Sequence, residues 1–317
     1  MPAKPSIDLN QLTTEKRNPA SMQMDKMSTL EVLKVMNQED QKVAVAVEKV
    51  LPHIKEAVEW VYQAFMKGGR LFYVGAGTSG RLAILDASEC PPTFLTPPEL
   101  VQAVIAGGEQ AVYRAIESSE DDEAQGEADL KSRGLTENDV VVGITASGRT
   151  PYPIGALKYA RKIGCKTIAL TCNTDSKISH YADCKIEVIV GAEVLTGSTR
   201  LKAGTAHKMV LNMISTTVMV KMGKVYENLM VDLHASNEKL RERSKRIVME
   251  VTGVDYKQAE AALKQTDYKV KPAIVMILAG TSIEVTNTAI QKRNGNVRAA
   301  ITFAKDGGDT GTGTLSQ

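Results

Sequence analysis

With 317 residues, 43% of them hydrophobic, the chain is long enough to bury one main core and add a smaller second one. Its 39 Lys and Arg stand against 37 Asp and Glu, and a net charge of only +2 sets aside the concentrated basic surface of a nucleic-acid binder. Cys90, Cys165, Cys172 and Cys184 show no C-x-x-C pairing or disulfide framework, so reduced thiols and a cytoplasmic location are expected.

Residues 1–30 carry no apolar core behind a basic start, and no later stretch approaches the roughly 18 apolar residues of a membrane helix, so neither export nor membrane association is expected. From Ser28 to Lys67, Val43, Val45, Val47, Val50, Leu51, Ile54, Val58, Val61 and Phe65, at mixed spacings that are largely helical after Val47, predict one or two helices that stop at Gly68-Gly69. Short apolar runs then alternate with helical stretches: Leu71–Val74, Val101–Ile105, Val140–Ile144, Thr167–Leu170 and Ile186–Val190. That alternation predicts a doubly wound α/β fold, a parallel sheet covered by helices. A long helix follows from Leu201 to about Met222.

Beyond Asn237 the pattern is helical, with Tyr256–Leu263, Pro272–Leu278 and Val297–Phe303 punctuated by Gly253, Gly280 and Gly295. The division expected is an N-terminal arm and helix over 1–50, the α/β domain over 51–232, a small all-helical domain over 233–305 and a disordered tail over 306–317.

Loops of small residues stand where strands feed helices: Gly75–Arg81 (GAGTSGR), Thr145–Thr150 (TASGRT) and Thr196–Lys202 (TGSTRLK). Free amides and aligned peptide dipoles at a helix start favour a phosphate, and glycine permits close approach. The plainer reading is a set of tight turns capped by Ser or Thr. Gly75-x-Gly77-x-x-Gly80 alone is a weak dinucleotide fingerprint, because Val101–Ile105 runs into Ala106-Gly107-Gly108 without the acidic residue such a site needs. The second loop lacks the lysine of a nucleotide P-loop, and its Ser147, Gly148, Arg149 and Thr150 suit a monophosphate. Candidate substrate contacts are therefore Thr78, Ser79, Ser147, Gly148, Thr150, Ser198 and Thr199, with Glu193 and Lys202 beside the third loop. Glu193 is expected at the end of a Val188–Val190 strand, where a plain strand-end charge is a near-equal alternative. His53, His180, His207 and His234 show no metal spacing, and neither metal nor cofactor is expected.

Ser147–Thr150 resembles the phosphate loop of sugar isomerase (SIS) domains, and Gly75–Arg81 resembles their first sugar-binding loop. Leu12–Asn18, Asp86–Pro92 (DASECPP), Gly191–Ala206 and Gly223–Asp232 are similar to signatures of the N-acetylmuramic acid 6-phosphate etherases. The resemblance implies a homodimeric lyase without cofactor that cleaves the lactyl ether of a sugar phosphate, with the active site near the subunit boundary. It also implies that the Thr13–Asn18 arm reaches toward the partner and that the C-terminal helices resemble a small ubiquitin-associated fold. By the same resemblance Glu89 corresponds to the proton-donor glutamate and Glu120 to a second acidic residue. Glu89, just before Cys90-Pro91-Pro92, is expected to be desolvated with its pKa raised, as a general acid requires. For Glu120, inside an acidic run, a solvated helix start is the plainer reading. A sugar-phosphate sensor resembling glucokinase regulatory protein and an aldose-ketose isomerase are the rival functions.

Overall fold

The computed structural model describes residues 12–232 and 238–306. Helix α1 (Thr29–Glu48) opens with a capping box, in which the Ser28 hydroxyl accepts from the Glu31 N–H and the Ser28 N–H donates to the Glu31 carboxylate at 2.7 Å. Helix α2 (Leu51–Met66) buries Ile54, Ala57, Val58, Val61 and Phe65, the stripe its helical spacing predicts.

Five strands then form one parallel sheet: β1 (Leu71–Gly75), β2 (Val101–Ile105), β3 (Val140–Ile144), β4 (Lys166–Thr171) and β5 (Cys184–Glu187). Between them come α3 (Gly77–Phe94), the short α4 (Gln110–Tyr113), α5 (Glu123–Ser132) and α6 (Pro151–Lys162), and α7 (Lys202–Lys221) follows. The spatial order is β2-β1-β3-β4-β5. In this order the chain reverses its direction of travel between β1 and β3, and the crevice beyond their carboxyl ends is where open α/β sheets bind ligands. Gly75 pairs with Ile144 in register, so the GAGTSGR and TASGRT loops leave the sheet at the same level.

Every residue of β1 and β3 is buried, as expected of strands covered on both faces. Phe72 and Val74 join Val141, Ala169, Tyr152, Ile154 and Leu157 in one core layer. From the opposite face Tyr73 donates its hydroxyl to Asp86 of α3 at 3.0 Å. The strand expected over Ile186–Val190 lies earlier, at Cys184–Glu187. It is an edge strand, with Lys185 exposed, and only the Val188 N–H continues toward β4, bonding the Thr171 carbonyl at 2.8 Å.

Two compact units emerge, Met1–Ser88 with Pro98–Thr216, and Glu89–Pro97 with Thr217–Gln317. The second contains a hairpin of β6 (Val225–Tyr226) and β7 (Leu229–Met230), which the sequence reading lacked, and α8 (Glu238–Thr252), α9 (Tyr256–Gln265), α10 (Val270–Ala279), α11 (Ile283–Lys292) and α12 (Val297–Lys305). Val248, Leu263, Ile274, Ala289, Val297 and Ala300 form its core. Helix α10 stops at Gly280, whose φ of 66° suits a left-handed cap. Among the described residues no single helix is long and apolar enough to cross a membrane. His234 and the tail from 307 to 317 lie outside the described residues.

Candidate functional site

The three loops, all in the first compact unit, differ in how their backbones are used. In the first, glycines 75 and 80 serve packing. A Cβ on Gly80 would meet Ile105 Cγ1 at 2.5 Å and the Gly75 carbonyl at 2.9 Å, so only glycine lets α3 start this close to the sheet. Gly77, at φ +53°, faces open space, and Thr78 beside it is half-buried. Ser79 turns inward instead, its hydroxyl 3.3 Å from Nδ1 of His207. His207 in turn lies 3.6 Å from the Cys172 sulfur through Nε2, and burial holds its pKa down at about 4.

The second loop is a cluster of hydroxyls. Thr145 Oγ1 lies 2.7 Å from Thr150 Oγ1 and 3.3 Å from Ser147 Oγ, and the Arg149 N–H donates to Ser147 Oγ at 3.2 Å. Gly148, at φ +71°, cannot be replaced without displacing Ser176, whose Cβ would lie 2.2 Å from the new methyl group. Helix α6 opens with Pro151 and carries Pro153 in its first turn, so two amide donors are missing there. The hydroxyls of Ser147 and Thr150 cluster just before this helix start, where the α6 dipole favours an anion.

In the third loop the two charged candidates are engaged with other protein groups. Glu193 is fully buried, and its carboxylate accepts the Lys202 and Ala203 N–H groups at 3.0 and 2.9 Å, so the α7 start is already filled by an anion of the protein itself. Burial pushes the Glu193 carboxyl above its usual range against the opposing pull of those two N–H groups. Lys202 is equally committed, its Nζ 2.6 Å from Glu39 of α1 with both side chains almost wholly buried. Burial alone would raise the Glu39 pKa, but hydrogen bonds from Lys202, Lys42 and Asn18 outweigh it and hold it at about 2. Glu193 and Lys202, expected as substrate contacts, are thus both buried and bonded to protein groups in this structure. Thr78 packs near the start of α7, since a Cβ on Gly204 would stand 3.4 Å from Thr78 Cγ2. Ser198 and Thr199 are half-buried.

The arm is held by hydrogen bonds to the sheet side of the chain. Thr13 donates its N–H to Asn173 at 2.7 Å and Asn18 donates to the Ala192 carbonyl at 3.0 Å, so this segment is seated on its own chain.

Glu89 lies inside α3, which continues through Pro91 and Pro92 to Phe94, and its side chain is exposed rather than desolvated. The two prolines remove the N–H groups that would pair with the Ala87 and Ser88 carbonyls, so the helix ladder is interrupted around Glu89. Glu120 is also exposed, in a single turn of 3-10 helix over Glu117–Asp121. Glu89 falls in the second compact unit and Glu120 in the first. Among the described residues no group of three His, Cys, Asp or Glu is arranged to hold a metal ion.

Asp86 was not singled out by the sequence reading. Almost fully buried, it accepts from Tyr73, from Asn212 at 2.6 Å and from Ser215 at 3.0 Å, tying α3 to β1 and α7, while burial pushes its pKa up. A buried acid on a helix that also buries Ala83, Ala87 and Cys90 was the available signal.

The fold and its loops define a protein of the SIS class. Residues 123–219 match the SIS domain, 53–161 the N-terminal SIS domain of glucokinase regulatory protein, and 227–306 the C-terminal lid domain of that protein. A phosphoheptose isomerase from Francisella tularensis shares the fold, with a TM-score of 0.51 and 18% identity over 61% of this chain and 100% of its own. Much nearer in sequence are the N-acetylmuramic acid 6-phosphate etherases of Serratia proteamaculans, 58% identical over 93% of this chain and 100% of the relative, and of Pasteurella multocida, 54% identical over 94% and 99%. The chain belongs to the N-acetylmuramic acid 6-phosphate etherase family.

Proposed function

We infer that the protein cleaves the D-lactyl ether of N-acetylmuramic acid 6-phosphate to N-acetylglucosamine 6-phosphate and D-lactate, as a carbon-oxygen lyase of cell-wall amino-sugar recycling. The observation that carries this is identity of 54–58% to etherases matched along essentially their whole length. In the open-chain sugar the aldehyde acidifies the C2 proton, and the lactyl oxygen on C3 lies β to it. A base takes that proton, the C3–O bond breaks as the C2–C3 double bond forms, an acid protonates the departing lactate oxygen, and water then adds at C3.

In this reading Glu89 is the acid toward the leaving oxygen and Glu120 the base at C2. The Ser147–Gly148–Thr150 cradle holds the 6-phosphate, with Thr78, Ser198 and Thr199 toward the sugar. Exposure of both glutamates is compatible with access to substrate. We place the enzyme in the cytoplasm as a homodimer; Leu30 and Leu33 of α1, 61% and 57% exposed, offer an apolar face for a second copy.

General acid catalysis is typically worth about 10²–10⁴-fold, and Glu89→Gln is expected to lose at least that much in kcat for D-lactate release. The same variant should still exchange the C2 proton in deuterated water. A folded Glu89→Gln protein releasing lactate at the wild-type rate would remove Glu89 from the mechanism. The matches to glucokinase regulatory protein domains favour a second reading, a sugar-phosphate sensor, and absence of any D-lactate from the wild-type protein would select it.

A further inference from the structure

Arg81 closes the GAGTSGR loop in the first turns of α3, and neither the phosphate cradle nor the two glutamates account for it. Its Nε donates to the Val112 carbonyl at 3.0 Å and its Nη2 to the Arg114 carbonyl at 3.1 Å. These carbonyls close α4, where the last turn of a helix has no N–H donors of its own and carries partial negative charge. A guanidinium answers both needs with a planar fork of donors, which an ammonium cannot reproduce.

From Arg114 the chain runs directly to the turn that carries Glu120. A second tether lies beside it, where Ser119 donates its hydroxyl to the Ile116 carbonyl at 2.7 Å. Gly107, at φ +83°, leaves room for this, since a Cβ there would meet Ser119 Oγ at 3.0 Å and Ile116 Cδ1 at 3.2 Å. The Glu120 segment is thus pinned by Arg81 on one side and by the Gly107 contact on the other. Arg81 has a rigid base, because Asp86 further along α3 is locked by Tyr73, Asn212 and Ser215.

We infer that Arg81 is a positioning residue for the proposed elimination, fixing the main chain that presents Glu120. This rests on the assignment of Glu120 as the C2 base. The test is a mutant cycle of Arg81→Ala, Arg81→Lys, Glu120→Gln and Arg81→Ala with Glu120→Gln, scored by D-lactate release, C2 exchange in deuterated water and thermal melting.

Displacement of a catalytic group by about 1 Å costs up to roughly a hundredfold, so Arg81→Ala is expected to lower kcat and C2 exchange about 10- to 100-fold with KM within about threefold. Arg81→Lys should fall between, and millimolar guanidinium should restore part of the Arg81→Ala rate. Because both residues act through one carboxylate, the double variant should be no slower than Glu120→Gln alone. Undiminished kcat in folded Arg81→Ala, or losses that multiply in the double variant, would overturn the role of Arg81 while leaving that of Glu120 intact. Full activity of Glu120→Gln would instead overturn the Glu120 assignment, and the positioning role with it. If Arg81→Ala does not fold, the cycle through Arg81→Lys decides by the same criteria.

Discussion

The two ends of the sheet are built from similar residue types put to opposite uses. At the amino end two carboxylates are fully engaged with neighbouring donors. Asp139, just before β3, accepts the Arg70 N–H at 2.7 Å, the Arg70 guanidinium at 2.8 Å, and the Thr136 N–H at 2.8 Å, while Arg70 also reaches the Arg133 and Gly134 carbonyls. Asp183, just before β5, takes the Thr167 N–H and hydroxyl in the same way. At the carboxyl end Thr145, Ser147 and Thr150 bond chiefly to one another, and Ser147 and Thr150 remain half-exposed. Closed carboxylate knots stabilise, whereas hydroxyls sharing hydrogen bonds can turn toward an incoming anion at small cost. Polarity alone therefore does not mark a site; the degree to which it is already satisfied does.

Substitution at the amino end should produce the largest change and touch only stability. Arg70→Ala leaves Asp139 as a buried charge without its partner, a change that costs about 3–5 kcal/mol in other proteins. Chemical denaturation should register that loss while KM for the sugar phosphate stays put; a raised KM would show the two ends to be coupled. At the carboxyl end the expectation inverts. Loss of a hydrogen bond to a charged group weakens binding by about 1.5–3 kcal/mol, so Ser147→Ala should raise KM by roughly ten- to a hundredfold at unchanged melting temperature.

The smallest effect belongs to His207. Its folded pKa of about 4 lies below the ordinary histidine value, so in the window between them the unfolded chain binds the proton and the folded chain does not. Stability should therefore fall as the pH drops, by under about 1 kcal/mol between pH 7 and 6. His207→Gln should flatten that slope in urea titrations; an unchanged slope would assign it to other groups.

How much of this was legible follows from how local each cause is. The central strands could be read because burial on both faces makes Leu71–Val74 and Val140–Ile144 continuous apolar runs. Edge strand β5 could not, since Cys184–Glu187 alternates while the apolar Val188–Val190 that follows is not a strand. The clustering of the Thr145, Ser147 and Thr150 hydroxyls was visible because they are neighbours in sequence. The burial of Glu193 and Lys202 was not legible because burial of a charge depends on its partner, and the partner of Lys202 is Glu39, 163 positions away. Glu89 misled for a different reason: Pro91 and Pro92 suggested a helix end and a dry pocket, whereas α3 passes through them and leaves the side chain exposed.

That distance between Glu39 and Lys202 has a consequence in time. The arm is made first, yet Asn173, Ala192 and Lys202, which seat Thr13, Asn18 and Glu39, are separated from them by 160, 174 and 163 positions. None of these contacts can form until more than half of these 317 residues have been synthesised. Contacts of such long separation close slowly, because the intervening loop entropy must be lost before they reward it. During synthesis Glu39 of α1 therefore has only Lys42 of its own helix as an ionic partner, and its buried partner Lys202 is made only after the last strand of the sheet.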